Sequence, residues 1–322
     1  MNTSQKNSFD ILSCAGGGFF GYGEILIVQE LEILSGKNTY QLFDALVGTS
    51  AGAINTSILS IGVPASKVSE FYTIWGPEIF TNSIWDVKAK LKLAPKYDNT
   101  QLKLALQSLL QIDDNGTMRQ STLNDCKIRW AGSSFDMTLG LPTFFCSWMK
   151  SQRITINGMD VGNIIGFDSL MELWQIVLCS SAAPTYFDGV EIGNVFIDGG
   201  LTGCNSMDSI SINLLSDQVS NKQIRMLSLG SGDSNWNIDP KSMIHPSDIR
   251  AAFVILQMFL SAGVDSSNFG AYMKLKENYF HMSPSYNPTF EMDDVTTGLV
   301  KIPLAIDTLL QSSRNVLLNF IK

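Results

Sequence analysis

The apolar positions of this chain form short continuous runs punctuated by glycine, alternating with longer stretches at helical spacing. Ile11, Leu12, Cys14 and Ala15 make the first run, which enters Gly16-Gly17-Gly18-Phe19-Phe20-Gly21 and then a helix over 24–34, ended by Gly36. Leu42, Phe43, Ala45, Leu46 and Val47 make the second, a buried strand, after which the pattern is helical over 51–61 until Gly62 and Pro64 stop it. Val68, Phe71, Tyr72 and Trp75 mark a helical stripe over 64–75, and Leu102, Ala105, Leu106 and Leu109 mark another over 99–111. Strands are expected over 127–136 and 142–148, at Val195-Phe196-Ile197, and at Met226-Leu227-Ser228-Leu229; helices are expected over 170–178, 251–260 and 305–320, the last two outside the sheet. Strands alternating with helices predict an α/β fold, and no internal repeat is visible.

Three of the strand ends carry chemistry. Gly48-Thr49-Ser50-Ala51-Gly52 places a serine between two glycines where a strand passes into a helix, the setting of a nucleophile elbow. The competing reading is a small-residue turn without chemistry. At the first strand end, Gly16, Gly18 and Gly21 also spell a dinucleotide-binding fingerprint. That reading needs an acidic residue at the tip of the next strand, and Asp44 lies inside the next apolar run instead. Glycine amides converging at a helix N-terminus also suit an oxyanion, which gives Ser50 the partner it requires. The third is Asp198-Gly199-Gly200, which reads either as a turn aspartate or as a base held at a strand end. Only His245 and His281 are available for a Ser-His-Asp triad, so an aspartate acting directly on the serine is the simpler base. An exposed aspartate titrates near ~3.9, so this one has to be partly desolvated to work near neutral pH.

In this order and context, the residues resemble the patatin-like phospholipase family. The glycine loop Gly16-Gly17-Gly18, the elbow from Gly48 to Gly52 and Asp198-Gly199-Gly200 match its three motifs. Cys179-Ser180-Ser181-Ala182-Ala183-Pro184-Thr185-Tyr186-Phe187 is similar to its Ala-Ser-x-Ala-x-Pro-x-x-Phe segment, and Met226-Leu227-Ser228-Leu229-Gly230-Ser231-Gly232 to a later strand. The resemblance spans roughly 9–235. It implies a three-layer α/β fold, a mostly parallel central sheet flanked by helices, with Ser50 and Asp198 as a catalytic dyad and Gly16, Gly17 and Gly18 as the oxyanion hole. Gly21, Gly48, Gly52, Gly199 and Gly200 complete the motifs. The implied activity is hydrolysis of acyl esters of membrane phospholipids, without cofactor or metal. One position departs from the pattern: Phe20 stands where relatives usually carry arginine or lysine, which bears on head-group recognition.

Composition agrees with this reading. A chain of 322 residues with 45% hydrophobic content can bury a large core, and one patatin-like domain over 1–322 is expected. A net charge of −8 with only 16% charged residues argues against nucleic-acid polymers and against general attraction to anionic lipid, so membrane contact has to be local and apolar. The polar start, residues 1–10, and the lack of any apolar stretch near ~18 residues predict a cytoplasmic protein acting at the inner membrane surface. The five cysteines are scattered, without metal-ligand spacing, and read as small core residues. Asp113, Asp114 and Asn115 before Gly116 read as a turn rather than a calcium loop.

Residues 76–111, with Trp85, Lys88, Lys90, Lys92 and Lys96, are a candidate lid. The compact form is similar to bacterial patatin-like effectors that a cyclic nucleotide activates during phage infection, which implies a cyclic di- or trinucleotide activator and a homo-oligomeric state as candidates. The alternatives are a lipid-binding pseudoenzyme, or an acyl hydrolase of another class such as a thioesterase or glycerolipid lipase.

Overall fold

The computed structural model describes residues 7–81, 95–219, 222–232 and 248–321. A ten-stranded sheet runs through the molecule, and β3 (Gln111–Asp114) and β4 (Thr117–Gln120) form a separate antiparallel pair. The first half of the large sheet is parallel: β12 (Tyr279–Met282), β11 (Gln223–Leu229), β1 (Ser8–Cys14), β2 (Ala45–Gly48) and β5 (Arg129–Asp136) lie side by side in that order. Beyond β5 the sheet is mixed, continuing through β6 (Leu141–Cys146), β8 (Met159–Gly166) and β7 (Gln152–Ile156).

Side chains alternate across β1 and β2 and so feed two cores. Leu12, Cys14 and Leu46 face one core, shared with α1 (Gly21–Ser35), α2 (Ala51–Ser60), α3 (Ala65–Ile79), α4 (Thr100–Leu109), α5 (Leu173–Ser180) and the C-terminal α8 (Val295–Leu318). Ile11, Ala45 and Val47 face the other, covered by α6 (Asp208–Leu214) and the end of α7 (Asp248–Leu275). Helices therefore flank both faces of a mostly parallel sheet, as expected. Strands buried on both sides explain why the first two runs are apolar throughout rather than alternating.

One feature of this topology builds the site. β2 pairs with β5 from Arg129 to Gly132, and β10 (Asn194–Asp198) then takes over the same edge from Ser134 to Asp136, running the opposite way. β9 (Val190–Ile192) pairs with β10 in turn. The C-terminal ends of β2 and β10 thus meet head to head beside Ser133, and the residues that follow them, Thr49-Ser50 and Gly199-Gly200, are brought together by register alone.

Several expected boundaries move. The helix expected over 170–178 starts at Leu173, because Glu172 and Gln175 form a capping box there and Leu170 is 98% exposed. The helix expected over 251–260 runs on to Leu275, since Gly263 does not end it but lets it approach Gly203. The helix expected over 305–320 begins ten residues sooner, at Val295, with Asp294 capping the Thr297 amide and Pro303 inside. Within the candidate lid, Leu102, Ala105 and Leu106 of α4 are buried in the core; Trp85, Lys88, Lys90 and Lys92 lie outside the described residues. The five cysteines are free thiols, with Cys14, Cys146, Cys179 and Cys204 buried.

Candidate active site

Ser50 sits between the end of β2 and the first residue of α2 with φ 54° and ψ −123°, a conformation that non-glycine residues avoid and that holds its side chain outward. Both flanking glycines are required by close approach. A Cβ on Gly52 would overlap the Cys14 carbonyl at the end of β1, and one on Gly48 would overlap the backbone of Gly52. The Ser50 amide donates to Ser180 Oγ at 3.0 Å, so α5 steadies the turn. Beneath it, Thr49 Oγ1 and Ser133 Oγ lie 2.7 Å apart and the Thr49 hydroxyl donates to the Cys204 carbonyl at 2.5 Å, tying the elbow to β5 and to the segment after Asp198.

Asp198 faces Ser50 from the opposing strand end. Its amide donates to the Ala182 carbonyl at 3.0 Å, which fixes the strand end against the segment that follows α5. Its Oδ1 accepts the Gly200 amide at 2.7 Å. Burial pushes the carboxyl up to about 6, opposed by the hydrogen bonds from the Gly200 amide and from the Ser50 hydroxyl. A carboxylate that accepts the serine hydroxyl and titrates near neutrality is placed to receive its proton. His281 lines this cleft from β12, with Nδ1 3.1 Å from Ser228 Oγ; His245 lies outside the described residues.

The glycine loop closes the other side. Gly17 has φ 175° and ψ 19°, and Gly18 has φ 57°. Of the three loop amides, that of Gly16 is engaged, donating to the Asn205 carbonyl at 2.7 Å, and the Gly16 carbonyl accepts the Ser231 hydroxyl at 3.0 Å. The expectation of three donors therefore narrows: Gly16 anchors the loop, and among the described residues the Gly17 and Gly18 amides have no protein acceptor. The Phe19 amide donates to the Met292 carbonyl at 2.8 Å, which fastens the loop to the segment before α8.

These groups open on a cleft of about 1080 Å³. Ser50, Asp198 and the glycine loop line it, and Met258, Leu260, Tyr286 and Phe290 supply apolar wall. Phe20 is part of that wall. Its ring stacks on Tyr286 at 5.1 Å and meets Phe290 edge-on at 5.0 Å, so the position where the resemblance leads one to expect a cation is built into an aromatic cluster. Among the described residues no group of His, Cys, Asp and Glu has the arrangement of a metal site, and no helix is long and apolar enough to cross a membrane.

Sequence reasoning brought Ser50, Asp198 and the glycines to one place but did not anticipate Asn205. Besides receiving the Gly16 amide, Asn205 donates through Nδ2 to the Leu260 carbonyl at 3.1 Å and to the Gly16 carbonyl at 3.4 Å. Nothing in its neighbourhood in the chain marks it. Ser180 and Ser231 lie within stretches that carry the resemblance, yet their parts as acceptor and donor depend on pairings that only the fold makes.

The chain is similar to several known proteins. The family model described as patatin-like phospholipase matches residues 12–205, which include every residue of the glycine loop, elbow and Asp-Gly-Gly motif. Curated relatives include a cGAMP-activated phospholipase of Vibrio cholerae, 24% identical over 74% of this chain and 68% of its own. A cGAMP-activated phospholipase of Pseudomonas aeruginosa is 24% identical over 89% of this chain and 81% of its own. The human calcium-independent phospholipase A2-gamma is 30% identical over 59% of this chain and 24% of its own.

Proposed function

The chain belongs to the patatin-like phospholipase family, and we propose that it cleaves the acyl esters of membrane phospholipids with Ser50 as nucleophile and Asp198 as base. The observation that carries this reading is the head-to-head meeting of β2 and β10 on one edge of β5, which sets the Ser50 hydroxyl against the Asp198 carboxylate. Ser50 Oγ adds to the ester carbonyl carbon as its proton passes to Asp198. The carbonyl oxygen becomes an oxyanion held by the Gly17 and Gly18 amides. Collapse breaks the bond to the alcohol, which leaves with the proton from Asp198. Water then loses a proton to Asp198, attacks the acyl-serine and releases the fatty acid, and the proton returns to Ser50.

Activation by a cyclic nucleotide is the second part of the proposal, and the names of the bacterial relatives support it. An acyl hydrolase working at the inner face of its own cell's membrane requires such restraint, and a role as an effector against phage is consistent with it. Fatty-acid release from phosphatidylethanolamine and phosphatidylglycerol vesicles, with and without a panel of cyclic di- and trinucleotides, tests both parts. A fluorophosphonate probe should label Ser50, located by peptide mass spectrometry. Release in the presence of one cyclic nucleotide, lost on labelling, is the expected result. Absence of release under every condition, or labelling elsewhere with activity lost, overturns the reading.

A further inference from the structure

The ionisable side chains of the cleft are unevenly matched. Asp198, Asp265, Glu291 and Asp294 line it, with His281, and Lys301 is the one lysine or arginine among the described lining residues. Lys301 stands on α8, seven residues after Asp294. The carboxylate it faces is Asp294, whose carboxyl is held below the usual range first by hydrogen bonds from Thr297 and then by the Lys301 charge. Lys301 Nζ donates to the Pro288 carbonyl at 3.2 Å and lies 5.6 Å from the centroid of the Phe290 ring. An ammonium carries three donors, so this one has capacity beyond Pro288.

Contacts through Phe290 and Met292 connect Lys301 to the glycine loop. Phe290 bridges the two, touching Phe20 at 5.0 Å on one side and Lys301 on the other. The segment that carries Phe290 is fastened to the glycine loop through the Phe19 amide and Met292 carbonyl. Lys301 therefore reaches the cleft one aromatic ring away from Phe20, and α8 supplies a positive charge to a wall that is otherwise apolar and acidic.

We propose that Lys301 binds the phosphodiester of the molecule held in this cleft. A phosphodiester is a single negative charge on two exposed oxygens, which suits a compact ammonium more than the neutral ester that Ser50 would attack. The proposal rests on the phospholipase reading. Two ligands carry the group, a glycerophospholipid and a cyclic nucleotide activator. In either case Lys301 orients a ligand and takes no part in bond making.

The test compares wild type, Lys301→Met and Lys301→Arg. The methionine keeps the stem without the charge, and the arginine keeps the charge. Rates are measured on phosphatidylglycerol vesicles and on a diacylglycerol dispersed in a neutral detergent, each across a titration of cGAMP, with melting temperatures alongside. If the lipid supplies the phosphodiester, Lys301→Met lowers kcat/KM on phosphatidylglycerol about tenfold more than on diacylglycerol, and Lys301→Arg restores most of the difference. If the activator supplies it, Lys301→Met raises the half-activating nucleotide concentration about tenfold on both substrates, again with rescue by arginine. Equal loss on both substrates at all nucleotide concentrations, or no loss on either, overturns the proposal. A wild type inactive on every ester is a separate outcome, since it overturns the phospholipase reading on which the proposal depends.

Discussion

Glu24 and Asp198 are both buried carboxyl groups close to the glycine loop, and burial raises the titration of both. Their surroundings differ in one respect. Glu24, on α1, is enclosed: its Oε1 accepts the Ala15 amide at 2.9 Å and its Oε2 accepts Asn55 Nδ2 at 3.1 Å, while the Tyr72 hydroxyl donates to Asn55 Oδ1 at 2.9 Å. It does not border the cleft. Asp198 accepts one fixed amide and one hydroxyl, and the hydroxyl belongs to a residue in the cleft wall. Burial perturbs a carboxyl wherever it occurs. What distinguishes a base from a structural anchor is that its proton-donating partner, Ser50, stands in a cleft open to substrate, whereas the thiol that hydrogen-bonds to Glu24, that of Cys14, is fully buried.

The sharpest way to break this comparison is to remove each group in turn. Ser50→Ala should lower fatty-acid release by ~10³-fold or more and Asp198→Asn by about 10²–10⁴-fold, while Glu24→Gln should stay within about threefold of wild type. Initial rates on one vesicle preparation check all three. A Glu24→Gln loss as large as that of Asp198→Asn, at unchanged melting temperature, would erase the distinction.

The next largest effect concerns the amides between the two carboxyl groups. A side chain on Gly17 would collide with Ser231, so Gly17→Val should displace the loop and cost about 10²–10³-fold in turnover. Near-normal turnover in a folded Gly17→Val protein would mean that the loop only shapes the chain.

Proton inventory sharpens the comparison further. Asp198 has to be ionised to act as base, so turnover should fall about tenfold for each pH unit below about 6 and level off above it. For stability the sign is reversed. The folded-state value lies above that of an unfolded aspartate, so the folded protein holds the proton more tightly and Asp198 becomes a burden as pH rises from about 4 through about 6. Asp198→Asn should therefore stabilise the protein at pH 7–8 by about 1–3 kcal/mol, a gain that fades toward pH 4. Glu24→Ala should destabilise by about 1–3 kcal/mol through the donors it strands. Thermal melts of both variants across pH measure this, and a destabilised Asp198→Asn at pH 8 counts against the assignment.

The smallest effect is expected at Phe20. Phe20→Arg should change a neutral ester's rate by no more than about threefold while altering the preference between anionic and zwitterionic vesicles. Equal changes on all three substrates would show that the ring at this position serves packing alone.

What the sequence disclosed, and what it withheld, divides along contact range. The elbow, the glycine loop and the Asp-Gly-Gly turn are local: strand end, glycine and helix start lie within a dozen residues, and steric need for glycine is written at Gly48 and Gly52. The turn at Asn115-Gly116 was legible for the same reason. Asn157-Gly158, with φ 52° and 80°, carries an equal hairpin signal between β7 and β8, and that pair was nevertheless not anticipated. The succession of β2 and β10 along β5 was not legible, because register between strands far apart in the chain leaves no local mark. The aromatic cluster that absorbs Phe20 draws on Tyr286 and Phe290 from the far end of the chain, so the departure at position 20 was visible while its compensation was not. The helices expected over 251–260 and 305–320 are longer than their periodicity predicts, because tertiary packing sustains them through Gly263 and Pro303, where local propensity is poor.

Asn205 links features that the chain keeps nearly two hundred residues apart. Its side chain fills the space that a Cβ on Gly16 or on Gly200 would need, and its amide group reaches the Leu260 carbonyl on α7. The oxyanion loop and the turn after the aspartate are thus shaped around one side chain. In the course of evolution, a replacement at any of these three positions changes the room left for the other two, so their histories should be coupled, with innovations surviving as combinations rather than as single steps.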